Sequence, residues 1–262
     1  MLSIIVCIKQ VLDPEAPPSA YKIDEATKHL VQTGVPPVIS PFDENALEAA
    51  LRIKSAQQAK IMVLSLGWNL SKTILRKAIA VGADDLYLLE DKNFNGLDSY
   101  ATATILAKAI KKIETYDLIL TGRQAADTNA GLVGSYIGEI LGLPIITISR
   151  KVTIAEGRLR SENITPDGYN IVESTLPALV TISNELGELR SVGMKEIMAA
   201  QKKPITTWNK EQLEINTENL NRTVTLSVFI PKKEAHCEMI KGDTDHEAGT
   251  NLALKLKEEK II

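Results

Sequence analysis

The residues with most to offer chemically lie in one stretch, DLILTGRQAADTNAGLVG, from Asp117 to Gly134. Leu118, Ile119 and Leu120 make a short apolar run suited to a strand buried on both faces, and Thr121-Gly122 ends it where the chain must turn. Gly131 and Gly134 let backbone approach backbone or ligand closely, while Thr128 or Asn129 could cap a helix running through Val133–Leu141. The free N–H groups and positive end of such a helix would face an anion, so the chemistry on offer is phosphate binding. An ordinary strand-to-helix connection without a ligand has the same pattern, because short glycine-bearing loops are common. Lys9 poses a similar choice: at the end of the apolar run Ser3–Ile8 it could meet a phosphate or a flavin, or simply solvate a strand end.

Other chemistries are missing. The sequence has no GxxxxGK[ST] loop, and no GxGxxG follows the first apolar run, so the two commonest nucleotide fingerprints are excluded. His29, His236 and His246 are scattered, without HExxH or cysteine pairs, which argues against a catalytic zinc. Asp243, Asp245, His246 and Glu247 precede the last helical pattern and serve better as caps than as ligands. No GxSxG elbow marks a nucleophile, and no catalytic set is visible.

The elements that must position the loop are legible from periodicity. Ser3–Ile8 is a first strand. Pro14, Pro17, Pro18, Pro36 and Pro37 forbid one long helix after it, and Ala20–Ile23 with His29–Gln32 suits a hairpin-like excursion. Pro41-Phe42-Asp43-Glu44 opens a helix through about Ala56, with acidic residues in its first turn as the dipole prefers. Ile61–Leu66 is a second strand, Leu70–Val81 a helix stopped by Gly82, and Leu86–Leu89 a third strand. Asp98 caps a helix to Ile113. The strand at Leu118–Leu120 follows, then Pro144–Ile148. This alternation predicts an α/β fold, a doubly wound parallel sheet with its ligand crevice at the carboxyl ends of the strands.

Beyond Ser149 the pattern changes. Lys151–Ile154, Arg158–Asn163, Gly168–Ser174 and Ala178–Ser183 read as a meander, an antiparallel extension of the sheet edge. Met194–Lys203 is a short helix. Residues 204–262 carry a possible strand at Val224–Phe229 stopping at Pro231, and a helix at Ala248–Glu259, with too little apolar surface for a core. The expectation is one domain over 1–203 and a C-terminal arm over 204–262 that lies against a partner.

Composition fits such a chain. Its 262 residues are 44% hydrophobic, enough for a proper core, and a formal net charge of -3 argues against a nucleic-acid surface. No apolar run is long enough to span a membrane, and MLSIIVCIKQVL lacks a secretory signal pattern. With Cys7 and Cys237 far apart and no disulfide framework, a reducing cytoplasm is the expected location.

Five segments in fixed order, CIKQVLD, VISPFDENALEAALRIK, LRKAIAVGADDLYLLED, DLILTGRQAADTNAGLVG and LPALVTISNELGELRSVGMKEIMAAQKK, resemble the electron-transfer flavoprotein beta subunit from Met1 to about Lys203. The resemblance implies an adenine-nucleotide-binding sheet, pairing with an alpha subunit that carries a second flavin, and a tail that reaches across to that subunit. It places Cys7, Lys9, Ser40, Pro41, Phe42, Asp43, Ser65, Leu66 and Gly67 where the family cradles its nucleotide, together with the whole loop: Gly122, Arg123, Gln124, Ala125, Asp127, Thr128, Asn129, Ala130, Gly131, Leu132, Val133 and Gly134. Arg123, Gln124 and Asp127 resemble the family's polar contacts. Arg190–Met198 resembles the loop that docks on an acyl-CoA dehydrogenase, with Met194 in the place of the usual leucine anchor and Arg190, Ile197 and Met198 beside it. Leu132, Ser40 and Trp68 depart from the residues usual at their positions, and Trp68 could cover the nucleotide or fill the rim.

The function so implied is electron relay. A nucleotide-binding sensor on the same sheet is the competing class, since fold does not fix function. Within the family, Asp43 and the segments around Lys22-Ile23-Asp24 look closer to the branch that binds FAD, takes hydride from NADH and divides the electrons, with ferredoxin or flavodoxin as a low-potential acceptor. The other branch holds AMP in that pocket structurally.

Overall fold

The computed structural model describes residues 1–32, 34–230 and 237–262. Pro231 and His236 lie outside the described residues. The chain divides into a compact unit, Met1–Leu226, and a smaller one, Ser227–Ile262.

The first unit opens with β1 (Leu2–Ile8) and β2 (Gln10–Val11). The proline-rich excursion forms an antiparallel pair, β3 (Tyr21–Asp24) with β4 (His29–Gln32), and returns through β5 (Val38–Ile39), which pairs with β2. Pro41 starts α1 (Pro41–Ala56), where its missing N–H and fixed φ suit the first helical position. There follow β6 (Ala59–Gly67), α2 (Lys72–Leu75), α3 (Lys77–Ala80), β7 (Asp85–Glu90), α4 (Ser99–Ile113), β8 (Leu118–Gly122) and α5 (Val133–Leu141). Asp98 caps α4 as expected, its side chain accepting from the Ala101 N–H at 2.8 Å. The single helix expected over Leu70–Val81 is two short ones, separated at Arg76. The guanidinium of Arg76 donates to the carbonyls of Ala200 and Lys203, which ties this break to the later chain.

After α5 come β9 (Ile145–Ala155), β10 (Arg158–Thr165), β11 (Gly168–Ser174), β12 (Ala178–Ile182), α6 (Met194–Lys202) and β13 (Thr206–Trp208). The nine-stranded sheet has the order β11-β10-β9-β12-β8-β1-β6-β7-β13. β10 and β11 form the antiparallel extension; every other neighbouring pair outside β9-β10-β11 is parallel. Two expectations are corrected. Pro144–Ile148 and Lys151–Ile154 belong to one strand, bent where Ile148 takes φ 54° and the register shifts. Ala178–Ser183 is no part of the meander: β12 returns between β8 and β9, parallel to both, with all five residues buried. Its largely apolar run, broken only by Thr181, suits an interior parallel strand, buried on both faces, better than an edge.

Alternate residues of β1 feed the two cores. Ile4, Val6 and Ile8 pack with Leu47, Leu51, Leu75 and Ala78 on the α1 side; Ile5 and Cys7 pack with Ile105, Ile110 and Ile137 on the α4 and α5 side. Helices therefore cover both faces, the doubly wound arrangement.

The limit of the compact unit lies beyond Lys203. β13 adds to the sheet beside β7, Trp208 stacks at 5.1 Å on Tyr87, and Leu213 is 1% exposed. Val224–Phe229 has no strand pairing among the described residues; Val224 and Leu226 are exposed. In the second unit, α7 (Asp245–Glu258) is capped by Thr244, whose hydroxyl accepts from the Glu247 N–H, while Glu247 accepts from the Asp243 N–H. The Glu247 carboxylate closes on the residue before the N-cap, one position short of a capping box, and α7 has no buried residue. No helix among the described residues is long and apolar enough to cross a membrane.

Candidate functional site

From β1 the chain winds to β6 and β7 on one side, then crosses through α4 to β8 on the other. The carboxyl ends of β1 and β8 thus flank a topological switch point, where parallel sheets of this kind bind ligands. The loop 122–134 leaves from β8 at this point.

Three side chains from other segments hold that loop. Asp43, in the first turn of α1, accepts the Lys9 N–H at 2.8 Å on one oxygen and the Gly122 N–H at 3.1 Å on the other. Ser40 donates its N–H to the Lys9 carbonyl at 2.8 Å and accepts the Ala126 N–H on its hydroxyl at 3.3 Å. The Lys9 ammonium reaches both carboxylate oxygens of Asp127, at 2.7 and 2.9 Å. Arg123 lies over the Phe42 ring, 5.3 Å from its centroid, and anchors its N–H on the Ile182 carbonyl. Gln124 donates to the Asn129 side chain at 2.8 Å.

Neither Thr128 nor Asn129 caps the following helix. Leu132 occupies the N-cap position of α5 without a side-chain bond, and Asn129 turns the chain at φ 51° while engaging Gln124. The two glycines also divide their roles. Gly131 sits at φ 66°, which favours glycine, with only the Arg123 carbonyl near a would-be Cβ. At Gly134 a Cβ would lie 2.6 Å from the Thr121 hydroxyl and 2.8 Å from Thr181, so this glycine seats α5 on β8 and β12. Ala130, Gly131 and Leu132 are exposed, and Val133 is half-buried.

The remaining expected residues vary in reach. Cys7 is buried, and burial together with the Asp43 carboxylate pushes its thiol up to about 12, so it stays neutral. Pro41 is exposed at the start of α1, and Ala125 is half-buried in the loop. Leu66 and Gly67 end β6, next to β1. Gln10 bridges from the β1 side to this rim, donating to the Asn69 carbonyl and accepting the Ser71 N–H. The Ser65 hydroxyl is buried without a partner among the described residues. Trp68 is 46% exposed and lines a cavity of about 440 Å³ with Glu90, Lys92 and Lys210; no loop residue lines it.

An uncapped helix end beside a switch point, with exposed small residues before it, fits the phosphates of an adenine nucleotide such as FAD. The ion pair with Lys9 offsets the Asp127 carboxylate, which would repel them. Sequence reasoning missed Ser40 and Asp43 as loop anchors, because both act on backbone groups far away in the chain.

The docking candidates lie together on α6. Met194, Ile197 and Met198 are spaced for one helical face and are 70%, 39% and 62% exposed. Arg190 instead bonds to Glu48 of α1, its side chain still 39% exposed. Glu48 went unnoticed in the sequence, where it looks like any helix carboxylate.

The family model described as "Electron transfer flavoprotein domain" matches residues 27–213. Over 266 aligned residues, covering all of both chains, the protein is 38% identical to the "Caffeyl-CoA reductase-Etf complex subunit CarD" of Acetobacterium woodii. It is equally similar, 38% over the whole of both chains, to "Electron transfer flavoprotein subunit beta" of Thermoanaerobacterium thermosaccharolyticum. "Protein FixA" of Azorhizobium caulinodans is 31% identical over 89% of this chain and 86% of its own. The chain belongs to the electron transfer flavoprotein family, as a beta subunit.

Proposed function

We propose that the chain binds FAD at the loop 122–134 and, in a heterodimer with an alpha subunit that carries a second FAD, takes electrons from NADH and divides them between two acceptors. One acceptor is an acyl-CoA dehydrogenase-like flavoenzyme, the other a low-potential carrier such as ferredoxin or flavodoxin. Electron relay through the family's heterodimer is the coarse part of this reading. Its NADH-linked, dividing form is supported by end-to-end similarity to a subunit of a caffeyl-CoA reductase-Etf complex.

The observation that carries the nucleotide assignment is the uncapped start of α5 at the β1/β8 switch point. Backbone N–H groups and the positive helix end bind the pyrophosphate. Lys9 neutralises Asp127 beside it. Asp43 and Ser40 fix the loop on β1, and Arg123, stacked on Phe42, adds positive charge at the rim. The chemistry supplied by a bound flavin is acceptance of a hydride as two electrons and their release one at a time. The residues of this chain bind and orient; none performs covalent chemistry. Met194, Ile197 and Met198 form the docking face for the dehydrogenase, and residues 227–262 pair with the alpha subunit.

Denaturing the co-purified heterodimer and separating its released nucleotides tests the reading. Two FAD per heterodimer is the expected result. One FAD with one AMP would overturn electron division while leaving family membership untouched.

A further inference from the structure

We propose that Asp43 is a positioning residue whose carboxylate clamps the ends of β1 and β8 together to set the nucleotide loop, so that its protonation releases the nucleotide. The inference rests on the loop 122–134 being the nucleotide site.

The geometry has few alternatives. Asp43 is 7% exposed, and its oxygens are divided between two backbone donors on the two strands that flank the switch point. Lys9 and Gly122 are the residues from which those strands leave the sheet, so the carboxylate fixes where both chain segments turn. The fit at Gly122 is close: a Cβ there would lie 2.5 Å from an Asp43 oxygen and 2.7 Å from the Phe42 carbonyl carbon. Only glycine lets the β8 end meet α1 at this distance. Both oxygens of Asp43 are engaged by the Lys9 and Gly122 N–H groups, so it acts on the nucleotide through the strand ends it holds.

The charged groups that face Asp43 are Lys9 from the end of β1 and Asp127 from the loop after β8; the Cys7 thiol, within β1, faces it as a neutral titratable group. Burial pushes the Asp43 carboxyl from the ordinary 3.8 up to about 7; the two N–H bonds and Lys9 oppose the rise, and Asp127 adds to it. A neutral carboxyl turns one oxygen into a hydroxyl, a weaker acceptor for the N–H it faces. The clamp loosens at that strand end. Linkage has the opposite sign for the fold as a whole. Because the folded pKa lies above the unfolded value, the stability Asp43 contributes is complete below 3.8 and is lost as pH rises through about 7. Acidification through neutrality therefore loosens the loop while the fold gains stability.

The test uses the purified full chain and FAD, whose pyrophosphate does not titrate near neutrality. Equilibrium dialysis from about pH 8 to about pH 6 gives the dissociation constant. Amide exchange of the ligand-free chain, corrected for its intrinsic pH dependence, gives the protection of the Gly122 and Lys9 N–H groups. Expected for the wild type are a rise in dissociation constant on the order of tenfold and a parallel loss of Gly122 or Lys9 protection. Asp43→Asn, which can accept only one of the two N–H groups, should bind weakly and without this pH dependence. The proposal is overturned if protection at both amides is unchanged with pH, or if wild type and Asp43→Asn share one pH profile. A wild type that takes up no FAD at any pH overturns the nucleotide reading instead, and amide protection then still decides the clamp.

Discussion

Glu48 and Arg190, from the middle of α1 and from the segment that leads into α6, are joined by three contacts: the Arg190 N–H and Nε donate to one Glu48 oxygen at 3.2 and 3.0 Å, and a terminal guanidinium nitrogen to the other at 3.1 Å. Arg52 adds a fourth, at 3.1 Å. Burial raises the Glu48 carboxyl, but the Arg190 and Arg52 bonds outweigh it and hold the group below the usual carboxylate range. Together with Asn45, which donates to the Gly187 carbonyl at 2.6 Å, this fixes residues 187–190 on α1. Because both arginines are partly exposed, the pair is worth less than a buried one. Glu48→Gln should cost roughly 1–2 kcal/mol by denaturant unfolding. The sign with pH follows from the depressed value: the contribution is present above the ordinary 4.5 and lost as pH falls through the lower folded pKa. Equal stability of Glu48→Gln and wild type near neutral pH would contradict this account.

How much of this was legible depends on range along the chain. β1 and β8 show as unbroken apolar runs because strands buried on both faces need them, and the Asp98 cap shows because it bonds three residues away. β12 carries the same apolar signature, yet its neighbours in sequence suggested a meander; which strands it lies between is set by tertiary packing and leaves no local mark. The loop itself was legible from its glycines. Its anchors were not, since Ser40 bonds to Ala126 and Asp43 to Gly122, pairs no periodicity connects.

Lys9→Met should weaken nucleotide retention more than a lost exposed ion pair would suggest. The side chain is partly exposed, so fold stability should change by only about 0–1 kcal/mol. The Asp127 charge, however, would be left unpaired beside the phosphates. Restoring retention by the double change Lys9→Met with Asp127→Asn would support this reading, whereas equal losses in the single and double variants would refute it.

Gly131→Val places a β-branched residue at φ 66°, a conformation it adopts only with strain. Since the loop is exposed and the core untouched, the expected outcome is a folded protein with little bound nucleotide. Gly131→Asn tolerates the same φ and should keep the ligand. Normal nucleotide content in the valine variant would remove Gly131 from the site.

Met194 is 70% exposed at the first position of α6, without a core to join. If it fills a pocket on the dehydrogenase, Met194→Ala should raise the KM for that partner, an anchor of this kind being worth ~2 kcal/mol. Flavin reduction by the donor should not change. Loss of both together would point to misfolding in place of docking.

Two truncations separate the sheet from the arm. Ending the chain after Leu226 keeps β13, the Trp208 stack on Tyr87 and buried Leu213, so the sheet should unfold as cooperatively as in the full chain. It should also lose its pairing with the alpha subunit, if residues 227–262 supply that contact. Ending after Lys203 removes more: β13 leaves the β7 edge open, Leu213 no longer fills its place on the α4 side, and Asp91 and Asp98 lose the N–H groups of Lys210, Arg222 and Thr223. Burial of Leu213 and Trp208 alone is worth about 2–5 kcal/mol, a large part of the stability of a domain this size. The shorter form should therefore show a clearly lower denaturant midpoint than the form ending at Leu226. Matching midpoints would mean that residues 204–226 contribute nothing to the sheet and belong with the arm.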